Sequence, residues 1–266
     1  EEHRGATAEE QQVLSQYVGW GGLADAFDPG KDSWAKEYAE LKGLLSEDEY
    51  AAARSSTLNA HYTSPTVIRG IYDAVERMGF RSGNILEPSM GVGNFFGMLP
   101  DSMADSRLYG VELDSITGRI ASLLYPEARI AVRGFEKVHF PNSFFDVAVG
   151  NVPFGQYPVN DPAYNKLGFH INNYFFAKAL DQVRPGGIVA FLTSRYTLDA
   201  KDEKVRRYLA QRAELLGAVR LPNNAFKANA GTEVVSDIIF LQKRDHLIDI
   251  VPDWVRTRET AEGFTI

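Results

Sequence analysis

Cysteine is missing altogether from the 266 residues, and histidine is confined to five scattered positions, His3, His61, His139, His170 and His246. The first absence excludes disulfides and thiolate metal sites. The second leaves no spacing of the HExxH kind, so no metal is expected. A reducing, cytoplasmic setting is the corresponding expectation. No apolar run approaches the ~20 residues needed to cross a bilayer, so no membrane partner is expected. The opening "EEHRGATAEE" has no basic patch leading into an apolar segment and is not read as a secretory signal. It also lacks an initiator methionine, which points to an excised fragment. Positive charge is scarce: 28 Lys and Arg stand against 35 Asp and Glu, a net charge of -7. A free-standing duplex-DNA binder gains most of its affinity by neutralising phosphates, so this balance argues against one. Any nucleic-acid partner must be met by a local basic patch or by another part of a larger polypeptide.

What is present is ordinary for a water-soluble α/β chain, with 44% hydrophobic and 24% charged residues. Residues 7–55 read as helical. "TAEE" from Thr7 and "SEDE" from Ser46 both fit the capping box, in which a hydroxyl and a Glu side chain satisfy the first exposed amides of a helix. Between them, "YVGWGGLADAF" sets Trp20 among Gly19, Gly21 and Gly22. It reads either as a turn whose Trp packs on the main domain or as a platform on which a base stacks. From residue 61 short apolar runs alternate with helical segments, the signature of βαβ units and a mostly parallel sheet. Seven strands are predicted: 84–87, 108–113, 129–132, 145–150, 187–193, 217–221 and 237–242. Phe176, Leu180 and Val183 share one helical face, and Pro185-Gly186-Gly187 is expected to end that helix. The chain therefore divides into a helical extension (1–60), a main domain (61–244) and a charged tail (245–266) that leads towards a further domain.

The first strand runs into "NILEPSMGVGNFFG", where glycines allow a tight turn and close approach of a ligand to a helix N-terminus. Glu87 closes this strand and Glu112 closes the next, about 20 residues on, as a ribose-binding carboxylate of a nucleotide fold requires. NAD and S-adenosylmethionine both carry adenosine, but Gly91, Gly93 and Gly97 miss the dinucleotide GxGxxG pattern by one residue. Glu87 suits the amino group of a methionine moiety instead. Upstream, Tyr62 and Thr63 precede a helix opened by Ser64 and Pro65, a placement that suits the methionine carboxylate or a plain helix cap.

"FFDVAVGNVPFGQYP" is the remaining puzzle, because a strand that merely turns would use Asn-Gly or Asp-Gly rather than Asn151-Val152-Pro153-Phe154. Taken in order, "HYTSP", "LEPSMGVGNFF", "GVELD" and "NVPFG" resemble the γ-type DNA methyltransferases that modify the exocyclic amine of adenine. The likeness runs over roughly residues 55–244. "YVGWGGL" and "RLPNNAFKANAGTEV" resemble, more narrowly, the methylase portion of large methylase-helicase proteins of plasmids, phages and conjugative elements. The resemblance implies a Rossmann-like class I S-adenosylmethionine-dependent fold, seven-stranded, with an antiparallel strand near the C-terminal end. It implies cofactor contacts from Tyr62, Thr63, Glu87, Pro88, Gly91, Gly93, Asn94, Phe95, Glu112, Leu113, Phe135 and Asn151. It also implies a catalytic corner of Asn151, Val152, Pro153 and Phe154 acting on a flipped adenine of DNA, with a helicase on the same polypeptide as partner.

The family pattern has Pro where Val152 stands, but it uses the backbone carbonyl there, and Pro153 holds Val152 extended. Phe135 follows Gly134, where the family has an acid. The loop 156–173 is suited to closing over substrate, with His170 read as a helix-start residue. Arg220 and Lys227 are candidates for phosphate contact or for a solvated face. Methylation of RNA or of a protein glutamine, and a non-catalytic cofactor-binding module, are the alternatives that this pattern leaves open.

Overall fold

The computed structural model describes residues 4–21, 23–57, 63–222, 235–258 and 261. Its centre is a seven-stranded sheet, β1 (Asn84–Glu87), β2 (Arg107–Glu112), β3 (Arg129–Val132), β4 (Phe145–Asn151), β5 (Val183–Ser194), β6 (Ala213–Arg220) and β7 (Ser236–Lys243), in the order β3-β2-β1-β4-β5-β7-β6. Strands β1 to β5 pair in parallel, and β7 lies antiparallel between β5 and β6. This is the predicted class I methyltransferase-like arrangement. The helices are α1 (Ala8–Leu14), α2 (Ala35–Leu44), α3 (Glu47–Ser56), α4 (Pro65–Arg77), α5 (Asn94–Gly97), α6 (Ser115–Leu124), α7 (Ile171–Gln182), α8 (Tyr196–Asp199) and α9 (Lys204–Arg212).

The alternation of side chains along each strand decides which helix covers which face. Ile85, Val147 and Val149 pack with Ile68, Ile71, Tyr72 and Val75, the i, i+3, i+4, i+7 stripe of α4. Leu86 and Ala148 face the other way, onto Phe176 and Leu180 of α7. Helix α4 starts as its sequence requires, with the Ser64 hydroxyl accepting the Val67 amide and Pro65 in the first turn. Both predicted capping boxes form, at Thr7–Glu10 and Ser46–Glu49.

One boundary differs from expectation. Helix α7 stops at Gln182, and Pro185-Gly186-Gly187 lies inside β5 rather than ending the helix. Val183 already pairs with Phe145, and between this pair and Val147–Ile188 the register of β5 shifts, which marks a bulge. Arg184 fastens it by donating from Nε to Asp146 Oδ1 at 2.6 Å.

The N-terminal helices carry a small core of Ala26, Phe27, Tyr50 and Ala53 and dock on α6. Gln11 Nε2 donates to the Leu123 carbonyl at 2.9 Å, and Arg119 Nη2 meets Glu49 Oε1 at 2.6 Å. At the other end of the chain, buried Arg206 of α9 holds the tail by donating to the Val255 carbonyl at 2.7 Å. No helix among the described residues is long and apolar enough to cross a membrane.

Candidate active site

The strand order reverses between β1 and β4, and loops leaving the carboxyl ends of two such strands diverge and open a crevice. A cavity of about 330 Å³ lies there, lined by Glu87 from the end of β1, Glu112 from the end of β2 and Asn151 from the end of β4. Its size suits a small organic ligand.

The β1–β2 side is acidic. Glu87 is only 2% exposed, and its Oε2 has no hydrogen-bond partner among the described residues. Burial, reinforced by the nearby Glu112, holds its carboxyl well above the usual carboxylate range. Glu112 accepts the Gly91 amide at Oε2 and the Asp114 amide at Oε1, each at 2.8 Å. Burial nevertheless pushes it up to about 7. Each carboxylate oxygen has a further lone pair, so Glu112 can still accept ligand hydroxyls. Asp114 caps α6 through Oδ1, which accepts the Ile116 amide at 2.8 Å, while its buried Oδ2 has no partner among the described residues. Unpartnered buried carboxylate oxygens converging on one cavity favour a cationic ligand. No cluster of His, Asp and Glu among the described residues could hold a metal ion.

The loop after β1 is drawn across the end of β2 by the Met90 amide, which donates to the Val111 carbonyl at 3.0 Å. Gly93 closes that turn at φ +87°, and a Cβ there would meet Tyr125 Cε2 at 2.5 Å. Glycine is therefore required twice over, by conformation and by space. Gly91, Asn94, Phe95, Leu113 and Thr63 line the cavity as expected, whereas Pro88 and Gly93 shape the loop without lining it. Tyr62 lies outside the described residues.

The β4 side is neutral. Gly150, at φ +146°, bends the strand end against Glu87, whose Cγ would lie 3.4 Å from an added Cβ. The next residue, Asn151, pairs with Leu192 of β5, and the Val152 amide donates to the Leu192 carbonyl at 3.1 Å. Asn151, Val152 and Pro153 all line the cavity, with Asn151 Oδ1 shielded from bulk water. Phe154 is half-buried and does not line it, but Tyr157, 45% exposed, does.

Two buried networks brace this side. Lys178 of α7 donates to Asp161 Oδ2 at 3.0 Å and to the Phe135 carbonyl at 2.8 Å, and the Tyr174 hydroxyl reaches the same Asp161 oxygen at 2.8 Å. Burial alone would raise Asp161, yet the hydrogen bonds from Tyr174 and Lys178 hold its carboxyl below the usual range. The loop after β4 is thereby tied to α7 and to the segment after β3. Further along, Asn172 and Asn173 of α7 share hydrogen bonds with Thr197 of α8, which contacts Thr193 of β5 at 3.2 Å.

These networks explain a residue that does not stand where it was expected. Phe135 is 3% exposed and outside the cavity lining, its ring 5.1 Å from Phe175 and 4.9 Å from Lys178 Nζ. Its apolar ring gains more from the core against α7 than from the cavity edge. Arg220 is engaged by Asp199 at 2.7 Å and Asp237 at 2.9 Å, which makes it a structural cation. Lys227 and most of "RLPNNAFKANAGTEV" lie outside the described residues. His170 sits at the start of α7 with no side-chain capping bond, as a helix-start residue would. Sequence reasoning passed over Asp114, Thr117 and Tyr157 as lining residues. The signal for Asp114 was present, since an Asp directly before a helical run is an N-cap.

Comparison with known proteins adds to this geometry. A family model described as N-6 DNA methylase matches residues 43–252. The chain belongs to the N-6 DNA methylase family. This methylase-family chain is 31% identical over 244 residues to the defense against restriction protein B of Escherichia phage P1. That alignment takes in 89% of the chain but only 9% of the phage protein. Among solved structures, a protein described as a class I S-adenosylmethionine-dependent methyltransferase from Listeria monocytogenes superposes with a TM-score of 0.58 at 18% identity, covering 86% of this chain and 72% of that one. The M protein of the type I restriction enzyme EcoKI superposes with a TM-score of 0.54 at 18% identity, covering 90% of this chain and 55% of that one. At these identities the two structures bear on the fold alone. The family match and the phage relative agree with the resemblance to adenine-N6 methyltransferases carried by the motifs.

Proposed function

We propose that this chain is the catalytic domain of an adenine-specific DNA methyltransferase that uses S-adenosylmethionine, housed in a longer methylase-helicase polypeptide. The observation that carries the proposal is one cavity that joins the buried Glu87 carboxyl, whose Oε2 has no partner among the described residues, to Asn151, Val152 and Pro153. S-adenosylmethionine, when bound, supplies an electrophilic methyl group and two positive charges. Glu87 and Thr63 suit its methionine end, Glu112 its ribose hydroxyls and Leu113 its adenine.

The exocyclic nitrogen of adenine is a poor nucleophile because its lone pair is delocalised into the ring. Asn151 Oδ1 and the Val152 carbonyl each accept one amine hydrogen, drawing the nitrogen towards a tetrahedral geometry in which the lone pair is localised. Pro153 fixes the direction of the preceding carbonyl. Acceleration then comes from placement and from acceptors that need no reorganisation, without a strong general base. Phe154 or Tyr157 offers the extruded base an aromatic face, worth about 1–3 kcal/mol. The acidic surface and the engagement of Arg220 support delivery of DNA by other parts of a longer protein.

The test is Asn151→Ala assayed with tritiated S-adenosylmethionine against DNA, RNA and protein. Transfer to DNA is expected in the parent chain and is expected to fall by roughly a hundred- to a thousandfold in the variant. Cofactor affinity measured by calorimetry should stay within about threefold. Label appearing only in RNA or in protein would refute the DNA assignment, and loss of cofactor binding together with folding would make Asn151 a structural residue.

A further inference from the structure

One wall of the cavity does not come from the sheet. Gly19 and Trp20, from the segment after α1, and Ala52 and Ser56 of α3 line the same cavity as Glu112, Leu113 and Thr117. The neighbours of Trp20 fix which end of the cavity it serves. Its ring stands edge-on to Tyr17 with centroids 6.2 Å apart, and the Tyr17 hydroxyl lies 3.5 Å from Thr117 Oγ1 in the first turn of α6. This is the compartment of Glu112 and Asp114, where a nucleoside would sit. Phe27 makes a second T-shaped contact with the indole, at a centroid distance of 5.5 Å. A ring in contact with two others cannot swing away without losing both contacts, so its position is set in advance. Leu113, 67% exposed, leaves an apolar side chain uncovered in the same compartment. The aromatic expected from the segment after β3, Phe135, is withdrawn into the core.

We propose that Trp20 is a cofactor-binding residue: the adenine ring of the bound cofactor packs against its indole and over Leu113, so that the N-terminal extension completes the nucleoside compartment. This rests on the S-adenosylmethionine reading above. It also places a binding residue outside the stretch matched by the family model, which begins at residue 43. The indole packs against the N-terminal core of Ala26, Phe27, Tyr50 and Ala53 rather than on the main domain, and the proposal takes up the second reading of "YVGWGGL", a stacking platform, with the cofactor's adenine as the ring it receives.

The test compares the 266-residue chain with Trp20→Phe and Trp20→Ala. Calorimetric titration with S-adenosylmethionine and with S-adenosylhomocysteine is run alongside ligand-induced quenching of tryptophan fluorescence. Trp20→Ala is expected to bind both ligands roughly 10- to 100-fold more weakly, and Trp20→Phe to stay within about fivefold of the parent. The quenching seen in the parent should vanish in Trp20→Phe although the ligand still binds. Unchanged affinity in both variants, or quenching that persists in Trp20→Phe, overturns the proposal. So does unchanged cofactor affinity with a raised KM for an adenine-containing oligonucleotide, which would assign the ring to the substrate base. If Trp20→Ala is too unstable to titrate, the fluorescence result from Trp20→Phe decides. A parent chain that binds neither ligand would refute the methyltransferase reading itself, an outcome distinct from a parent that binds them with no involvement of Trp20.

Discussion

The two sides of the cavity are built on opposite electrostatic plans. On the β1–β2 side, Glu87, Glu112 and Asp114 bring three carboxyl groups into a crevice, and Glu87 and Asp114 each keep a buried oxygen without a partner among the described residues. On the β4 side the buried acid is Asp161, and it is matched by Lys178 and Tyr174. A carboxylate left uncompensated in the cofactor-free protein lowers folding stability and gains on binding a cation. A carboxylate already compensated contributes to stability and holds a shape. On the proposed reading, the first side captures the cofactor and the second aims the base.

Breaking the braced side should give the largest effect on stability. Lys178→Met leaves Asp161 buried without its cation and is expected to cost about 3–5 kcal/mol in chemical denaturation. Cofactor affinity should change less than about threefold, because the acidic side is untouched. A variant that loses affinity in proportion to stability would show that the two sides are one unit.

The acidic side is expected to respond in the opposite sense. Glu87→Gln removes a group that is costly to ionise, so the melting temperature of the cofactor-free protein at pH 8 should rise, while affinity for S-adenosylmethionine falls about tenfold or more. A fall in melting temperature would mean that Glu87 has a stabilising partner.

The same contrast fixes the pH dependence. Burial raises both Glu87 and Glu112, so their contribution to stability is complete below the unfolded value of ~4.3 and is lost as pH rises above it, for Glu112 through about 7. Asp161 is lowered, so its contribution is present above ~3.9 and is lost as pH falls further. Thermal melts without cofactor should therefore peak in mild acid and decline through neutrality, and saturating S-adenosylmethionine should flatten that decline. The smallest effect is expected from Tyr157→Ala. This exposed ring should leave the melting temperature unchanged and raise the KM for DNA by roughly 5- to 50-fold, if it shares the stacking with Phe154.

The sheet was legible because its signals are local. The runs ending at Glu87, Glu112 and Asn151 are short, apolar and bounded by turn residues, and the strands begin or end within a few residues of expectation. The Pro185-Gly186-Gly187 triplet misled because the same residues that stop helices also build bulges, and the pairing of Val183 with Phe145 decides between the two. Within the site, Glu87, Glu112 and Asn151 could be read from strand ends, whereas Phe135 could not. An aromatic after a strand can face either the crevice or the helix layer, and α7 supplied the better partners, Phe175, Tyr174 and Lys178. The docking of the first helices on α6 rests on contacts such as Gln11 with Leu123, more than a hundred positions apart, for which no periodicity gives a sign.

The clasp of Asn172, Asn173, Thr193 and Thr197 contains no titratable atom, and all four members are buried. Dissolved ions and protons therefore have no handle on the joint that seats the start of α7 beside β5. On the proposed reading, ionic strength governs how often a polyanion arrives, while the clasp that seats α7 beside β5 gives salt nothing to act on. Salt should accordingly register in the encounter and not in the turnover of what has already arrived.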